Sequence, residues 1–329
     1  MEYRKLGAAD IEVSTLALGC WPFAGGVVWG DQDDDLSIAT VHAALDAGIN
    51  FFDTAEGYEH GHSERVLGRA LEGRRDEAVI ATKVSPDHLS PEGIAAACEQ
   101  SLVNLKTDYI DLYQIHWPNH AIPIERSWRA LEDLLRAGKV RALGVANFAV
   151  GDLSELVEIG RPVANQLPYS LLWRAIEFEI LALCRERSIG LICYAPLAQG
   201  LLSGRYAAAD EVPDGLARTR WYSHARPLAK HGEPGCEEVV FRALAGIADL
   251  SRRIGAPMAS VALAWVRQQR GVTSLLIGGR NPQELEWNLS SLSLELDAAT
   301  MADLERLTEP VKGALGRNPD MWMSKSRMR

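Results

Sequence analysis

Four residues able to carry protons stand at or just past the ends of short apolar runs. Asp53 closes Ile49-Asn50-Phe51-Phe52, Lys83 follows Ala78-Val79-Ile80-Ala81-Thr82, and His116 follows Leu112-Tyr113-Gln114-Ile115. Tyr58 comes shortly after Asp53, in Thr54-Ala55-Glu56-Gly57-Tyr58. A carboxylate, an amine, an imidazole and a phenol suit general acid–base chemistry. The amine of Lys83 also admits a Schiff base with a carbonyl compound. Taken singly, each is as readily a satisfied structural polar group. Their succession on three apolar runs is what points to a shared site.

The elements that must position them follow from the same runs. The spacing predicts strands near 16–19, 49–53, 78–82, 109–115, 140–145, 163–166, 189–194 and 273–277. Most of these starts lie about 30 residues apart, the length of one βα unit. One longer interval precedes the last strand. Helical patterns fill the gaps. Ile124, Trp128, Leu131, Leu134 and Leu135 recur at helical spacing before Gly138. Ser90-Pro91-Glu92 and Asn281-Pro282-Gln283-Glu284 are helix starts, with an N-cap oxygen, a proline in the first turn and a carboxylate at the positive dipole end. Eight strands in βα alternation predict an α/β fold, a (β/α)8 TIM barrel, as one domain over 1–329. No G-x-G-x-x-G follows the first strand, which weakens a doubly wound alternative. An N-terminal β-hairpin over about 1–14 is expected to plug the barrel floor. A long insertion is expected over about 201–236, between strands 7 and 8, and a C-terminal tail over about 309–329. In such a barrel the site lies at the carboxyl ends of the strands, where Asp53, Lys83 and His116 fall.

Composition narrows the partners. The chain has 329 residues, 47% hydrophobic and 24% charged, with a formal net charge of -10. That excludes disorder, and argues against nucleic acid and anionic membranes as partners. The N-terminal residues lack the apolar region of a signal peptide, and the longest uncharged stretch, 13–30, is broken by Pro22 and four glycines. The five cysteines include no C-x-x-C pair, so a reduced, cytoplasmic setting and no structural metal site are expected. His60-Gly61-His62 lacks an evident third ligand and reads as a loop turn.

The sequence resembles the aldo-keto reductase family over nearly its whole length. Asp53-Thr54-Ala55-x-x-Tyr58 followed by Gly61-x-Ser63-Glu64-x-x-Leu67-Gly68 is similar to the family's first motif. Gly144-Val145-Ala146-Asn147-Phe148 resembles Gly-Val-Ser-Asn-Phe, with alanine replacing serine. Asn165-Gln166-x-Pro168-Tyr169-Ser170 and Tyr194-Ala195-Pro196-Leu197-Ala198-x-Gly200-x-Leu202-Ser203-Gly204 are further matches. The resemblance implies a catalytic set of Asp53, Tyr58, Lys83 and His116, reducing aldehydes or ketones with NADPH. Tyr58 would be the general acid, and Lys83 is expected to pull its pKa down from near 10. Asp53 would hold Lys83, and His116 would hydrogen-bond the substrate carbonyl.

For the cofactor, Asn147 and Gln166 offer neutral amides to a nicotinamide carboxamide. The resemblance implies that Tyr194 stacks on the nicotinamide ring, with Pro196, Leu197, Gly200, Leu202 and Gly204 alongside. Gly278-Gly279-Arg280-Asn281 runs into a helix start and forms an anion site. There the resemblance places Arg280 on the 2′-phosphate of NADP and Asn288 near the adenine. Two departures bear on this end. Glu284 stands where the family often has glutamine, and Trp287 where it has glutamate. A carboxylate suits a free ribose hydroxyl better than a phosphate, so NAD is the alternative cofactor. Glu59 also replaces a common glycine after Tyr58.

Trp21, Phe23, Trp29 and Trp117, together with Trp173 and Trp221, are expected to line an apolar cleft over the nicotinamide. The insertion reads as a lid, with an arginine on the pyrophosphate, or as a surface loop. The tail either covers the barrel or packs on a neighbour. Three other readings stay open: an NAD(P)-dependent sugar or polyol dehydrogenase, a slow cofactor-binding regulatory barrel, and Schiff-base chemistry at Lys83.

Overall fold

The computed structural model describes residues 1–329, the side chains of Val27 and Val28 excepted. The first two strands, β1 (Tyr3–Lys5) and β2 (Glu12–Ser14), pair antiparallel as a hairpin. Eight parallel strands follow: β3 (Leu16–Gly19), β4 (Phe51–Asp53), β5 (Val79–Val84), β6 (Ile110–Ile115), β7 (Val140–Ala146), β8 (Ala164–Pro168), β9 (Gly190–Tyr194) and β10 (Val272–Gly278). They close into a barrel in chain order, with the seam between β3 and β10, where Leu16 faces Leu275 and Gly19 faces Gly278. The helices are α1 (Gly26–Trp29), α2 (Asp34–Asp46), α3 (His62–Ala70), α4 (Pro91–Leu105), α5 (Ile124–Arg136), α6 (Val150–Val157), α7 (Ile180–Glu186), α8 (Glu237–Ile254), α9 (Met258–Arg267), α10 (Pro282–Leu289) and α11 (Ala298–Leu315). No helix among the described residues is long and apolar enough to cross a membrane.

Strand alternation splits the core in two. Ala17, Phe51, Ala81, Leu112, Ala142, Ala164, Ile192 and Leu276 point into the barrel and cluster with Leu6, Ile11 and Val13 of the hairpin. The plug expected at the floor is therefore present. Its neighbours in sequence, such as Leu16, Phe52, Ile80, Tyr113 and Leu143, point outward into the larger cluster under the helices. Gly7 lets the hairpin approach the strands. Its φ is +56°, and a Cβ there would stand 2.0 Å from the Val163 carbonyl oxygen. Each fully buried Leu or Phe contributes about 1.5–3 kcal/mol.

The predicted caps form. Ser90 Oγ accepts from Gly93 N (3.0 Å), and Asn281 Oδ1 accepts from Glu284 N (3.0 Å). Each such cap is worth about 1 kcal/mol. On α5 the apolar face is narrower than its spacing implies. Trp128, Leu131 and Leu134 are buried, whereas Leu135 is exposed. The last helix reaches Leu315, beyond the boundary of about 309 expected for the tail.

Candidate active site

Parity on the strands decides which side chains meet. Asp53 follows inward Phe51 by two, and Lys83 follows Ala81 by two. Gln166 follows Ala164 and Tyr194 follows Ile192 in the same way. All four sit at the carboxyl end of the barrel, one step above the apolar layer, and His116 continues the inward line of Leu112 one residue past β6.

Asp53 and Lys83 are buried together. Lys83 Nζ donates to Asp53 Oδ1 (2.6 Å), to the Thr54 carbonyl (2.7 Å) and to Tyr58 Oη (3.4 Å). The second Asp53 oxygen accepts from Gln166 Nε2 (2.7 Å). The Tyr58 and His116 rings meet edge to face at 5.8 Å. The structure thus brings Asp53, Tyr58, Lys83 and His116 into one chain of contacts. Gln166 joins the same chain through Asp53, a pairing that spacing along the sequence does not reveal.

Burial governs the titration of these groups. It would push Lys83 down, but the Asp53 and Tyr58 oxygens hold its pKa above the usual lysine value. Tyr58 departs from expectation. Burial, aided by Asp53, outweighs the pull of Lys83, and its pKa lies above the ordinary 10.0. The phenol is therefore protonated at neutral pH, not poised as a phenolate. Burial, then the charges of Lys83 and Arg327, push His116 down to about 3, so its ring is neutral.

The turn after Tyr58 carries three successive left-handed residues, Glu59 (φ 45°), His60 (φ 51°) and Gly61 (φ 78°). Gly61 is required there, since a Cβ would lie 2.3 Å from the Asn104 amide. Glu59, where the family commonly has glycine, occupies a conformation that favours glycine. His62 pairs with Asp34 (2.9 Å) and so belongs to the packing of α3 on α2.

The residues expected at the cofactor are distributed along one side of the rim. Tyr194 is half-buried and donates to Asn147 Oδ1 (2.9 Å), while Asn147 Nδ2 donates to the His116 carbonyl (2.9 Å). Both amides expected to face a carboxamide, Asn147 and Gln166, thus also hold neighbouring site residues. Pro196 and Leu202 are buried and Leu197 is half-buried. At Gly200 a Cβ would meet nothing within 4 Å, and Gly204 is exposed. Beyond the exposed Gly278, Arg280 is anchored by Gln32 Oε1 (2.9 Å) and the Asp31 carbonyl (2.7 Å). Glu284 Oε2 accepts from Arg280 N (2.9 Å), and Asn288 Nδ2 donates to the Gly278 carbonyl (2.8 Å). Glu284 and Asn288 therefore tie α10 to the end of β10.

The aromatic residues divide. Trp21 stacks on Tyr58 at 5.9 Å, and Trp29 meets Trp21 edge to face at 5.4 Å. Trp117 is half-buried beneath the Arg327 guanidinium, 3.5 Å from its ring centroid. Phe23, by contrast, is wholly buried in the larger core cluster. Trp173 and Trp221 are core as well. Their rings cross at 5.7 Å, and the Trp221 indole donates to the Leu172 carbonyl (3.0 Å). Side-chain type alone does not separate a cleft tryptophan from one that anchors its own loop.

The insertion and the tail are packed on each other. Arg220 is buried and donates to Glu233 (2.8 Å) and to the carbonyls of Leu315 (3.1 Å) and Asn318 (3.0 Å). The tail turns back across the rim, where Arg327 pairs with Asp320 (2.7 Å). Within the chain the tail lies against rim residues, with Arg327 over the Trp117 ring and Trp322 beside Arg218.

Comparisons with known proteins agree with this architecture. The Aldo/keto reductase family description matches residues 15–309. An NADH-specific methylglyoxal reductase of Escherichia coli is 33% identical over 95% of this chain and 100% of that protein. A glycerol dehydrogenase structure from Gluconobacter oxydans superposes with a TM-score of 0.80 at 30% identity, covering 97% of each chain. An aldo-keto reductase of Klebsiella pneumoniae, solved in complex with NADPH, gives 0.74 at 28% identity, over 94% of this chain and 96% of that one. With the match running from the first barrel strand into the last helix, the chain belongs to the aldo/keto reductase family.

Proposed function

We propose that this chain reduces aldehydes or ketones to alcohols with NADPH, and that Tyr58 is the proton donor. The observation that carries the reading is the contact chain from the buried Asp53–Lys83 pair to the half-buried Tyr58, beside a neutral His116. A buried ammonium 3.4 Å from the phenol oxygen favours the tyrosinate left when the proton departs. Asp53 keeps Lys83 charged and in place, and Gln166 keeps Asp53 in place. A neutral His116 is able to donate one hydrogen bond to the carbonyl oxygen and orient it toward Tyr58. When bound, the nicotinamide supplies the hydride; the protein supplies orientation and charge.

The rim residues fit such a cofactor. The half-buried Tyr194 ring is a stacking surface, Gly200 leaves room for close approach, and Arg280 with the start of α10 offers a cation and backbone donors to a phosphate. One observation favours NAD as the second reading. The Arg280 N–H already bonds the Glu284 carboxylate, which repels a 2′-phosphate and accepts from a ribose hydroxyl. The similarity to a glycerol dehydrogenase supports polyol oxidation as the reverse use of the same site. The test is turnover of a carbonyl and sugar panel with each cofactor, in wild type and in Arg280→Ala. We expect Arg280→Ala to raise KM for NADPH about tenfold or more while sparing NADH. No cofactor oxidation across the panel overturns the reading.

A further inference from the structure

The insertion carries an arginine that the fold does not use. Its neighbours are fixed: Ala217 and Thr219 are wholly buried, and Arg220 is clamped by Glu233 and by carbonyls of the tail. Arg218 between them is half-buried and, among the described residues, pairs with no carboxylate. Its Nε is buried with no acceptor. The contrast with the other arginines of the region is sharp. Arg220 meets Glu233, Arg226 meets Asp214 and Glu237, and Arg327 meets Asp320. Leaving a guanidinium half-buried and unpaired in a chain with ten more acidic than basic residues costs stability, and burial lowers its pKa.

Its position gives that cost a purpose. The guanidinium lies within reach of two indoles, 4.9 Å from the Trp322 ring centroid and 5.8 Å from that of Trp21. Trp21 in turn stacks on Tyr58. The Trp29 indole N–H, against Trp21, is likewise buried without an acceptor. Two unsatisfied donor groups thus flank the tryptophan that covers the proton donor. A cation–π contact holds the guanidinium without spending its N–H groups, which leaves the fork free to receive a carboxylate.

We propose that Arg218 is a specificity-determining residue that recognises a carboxylate carried by the carbonyl substrate, at the end remote from the reacting carbonyl. The inference rests on the carbonyl-reductase reading above and narrows its substrate class to oxo acids and carboxylated aldehydes. Trp21 and Trp322 form the walls along which the body of that substrate lies.

The test compares 4-carboxybenzaldehyde with its neutral methyl ester, using NADPH, in wild type, Arg218→Met and Arg218→Lys. Methionine keeps the unbranched stem and drops the charge; lysine keeps the charge and drops the fork. Wild type is expected to favour the acid. Arg218→Met is expected to lower kcat/KM for the acid about 30-fold, chiefly through KM, and to leave the ester within about twofold. Arg218→Lys should recover part of the loss on the acid, and KM for NADPH should not move. Equal losses on acid and ester in both variants overturn the proposal. So does a raised KM for NADPH in Arg218→Met, which assigns the residue to the cofactor. Turnover of both aldehydes without charge preference, or of neither while other carbonyls of the panel are reduced, defeats the proposal alone, whereas no turnover across the panel with either cofactor defeats carbonyl reduction with it.

Discussion

The floor and the rim of this barrel are built from the same eight strands to opposite ends. At the floor, inward residues are apolar and the hairpin closes over them. Polar groups there serve the chain itself: Asn50 Oδ1 accepts from Ser14 N (2.7 Å), and its amide donates to the Glu12 carbonyl (3.0 Å). At the rim, two residues further along the same inward lines, the side chains are Asp53, Lys83 and Gln166, buried and charged or polar. Backbone strain follows the same division. Glu59, His60, Asn147, Ala195, Ala198 and Gln199 have positive φ in loops that leave the rim, whereas Lys106 and Ser188 simply end helices. Costly features gather where chemistry is proposed, and the floor repays them.

Substitutions at the two ends should therefore separate activity from stability. The largest effect is expected from Tyr58→Phe, which removes the proposed proton donor and little packing. It should lower kcat by about 10³-fold or more with the melting temperature preserved. Wild-type kcat/KM in the reduction direction should be level from about pH 5 to 9. His116, depressed to about 3, is already neutral at the lower limit. Tyr58, raised above 10.0, keeps its proton to the upper limit. A fall within that range would mean that another group donates. Ile11→Ala, at the floor, should do the reverse. It should cost about 2–4 kcal/mol in denaturant unfolding, with kcat retained wherever the protein stays folded. A loss of kcat in the folded variant would show that the two ends are coupled. The smallest effect belongs to Glu59→Gly. Relief of a left-handed residue, offset by greater freedom of the unfolded chain, should stabilise by about 0.5 kcal/mol, read from the denaturant midpoint.

Readability from sequence tracks the range of the contacts. The strands are legible because an apolar run bounded by turns is a local signal, and β3 falls at 16–19 as predicted. Asp53 and Lys83 stand out because an ionisable residue ending such a run is also a local signal. The bond from Gln166 to Asp53 joins positions far apart in the chain, and no pattern in either segment marks it. The same holds for Arg327 over Trp117, and for Trp173 against Trp221, which composition groups with cleft residues and packing removes to the core. The direction of the Tyr58 shift is not legible for a related reason. A nearby lysine is visible in sequence, whereas the extent of burial that outweighs it is a property of the assembled rim.

The seam has a consequence for the order of assembly. Strand β3 completes its pairing only with β10, and Arg4 of the hairpin also bonds the Val272 carbonyl (2.7 Å). Asp53, Tyr58, Lys83 and His116, however, all come from the first half of the chain. As the chain leaves the ribosome, the strands that carry these four are made long before the strand that shuts the ring. Until then β3 presents an open edge, and loop closure across nearly the whole chain makes the last step slow. Chaperone demand during synthesis should thus be set by the wait for β10 rather than by the residues of the site.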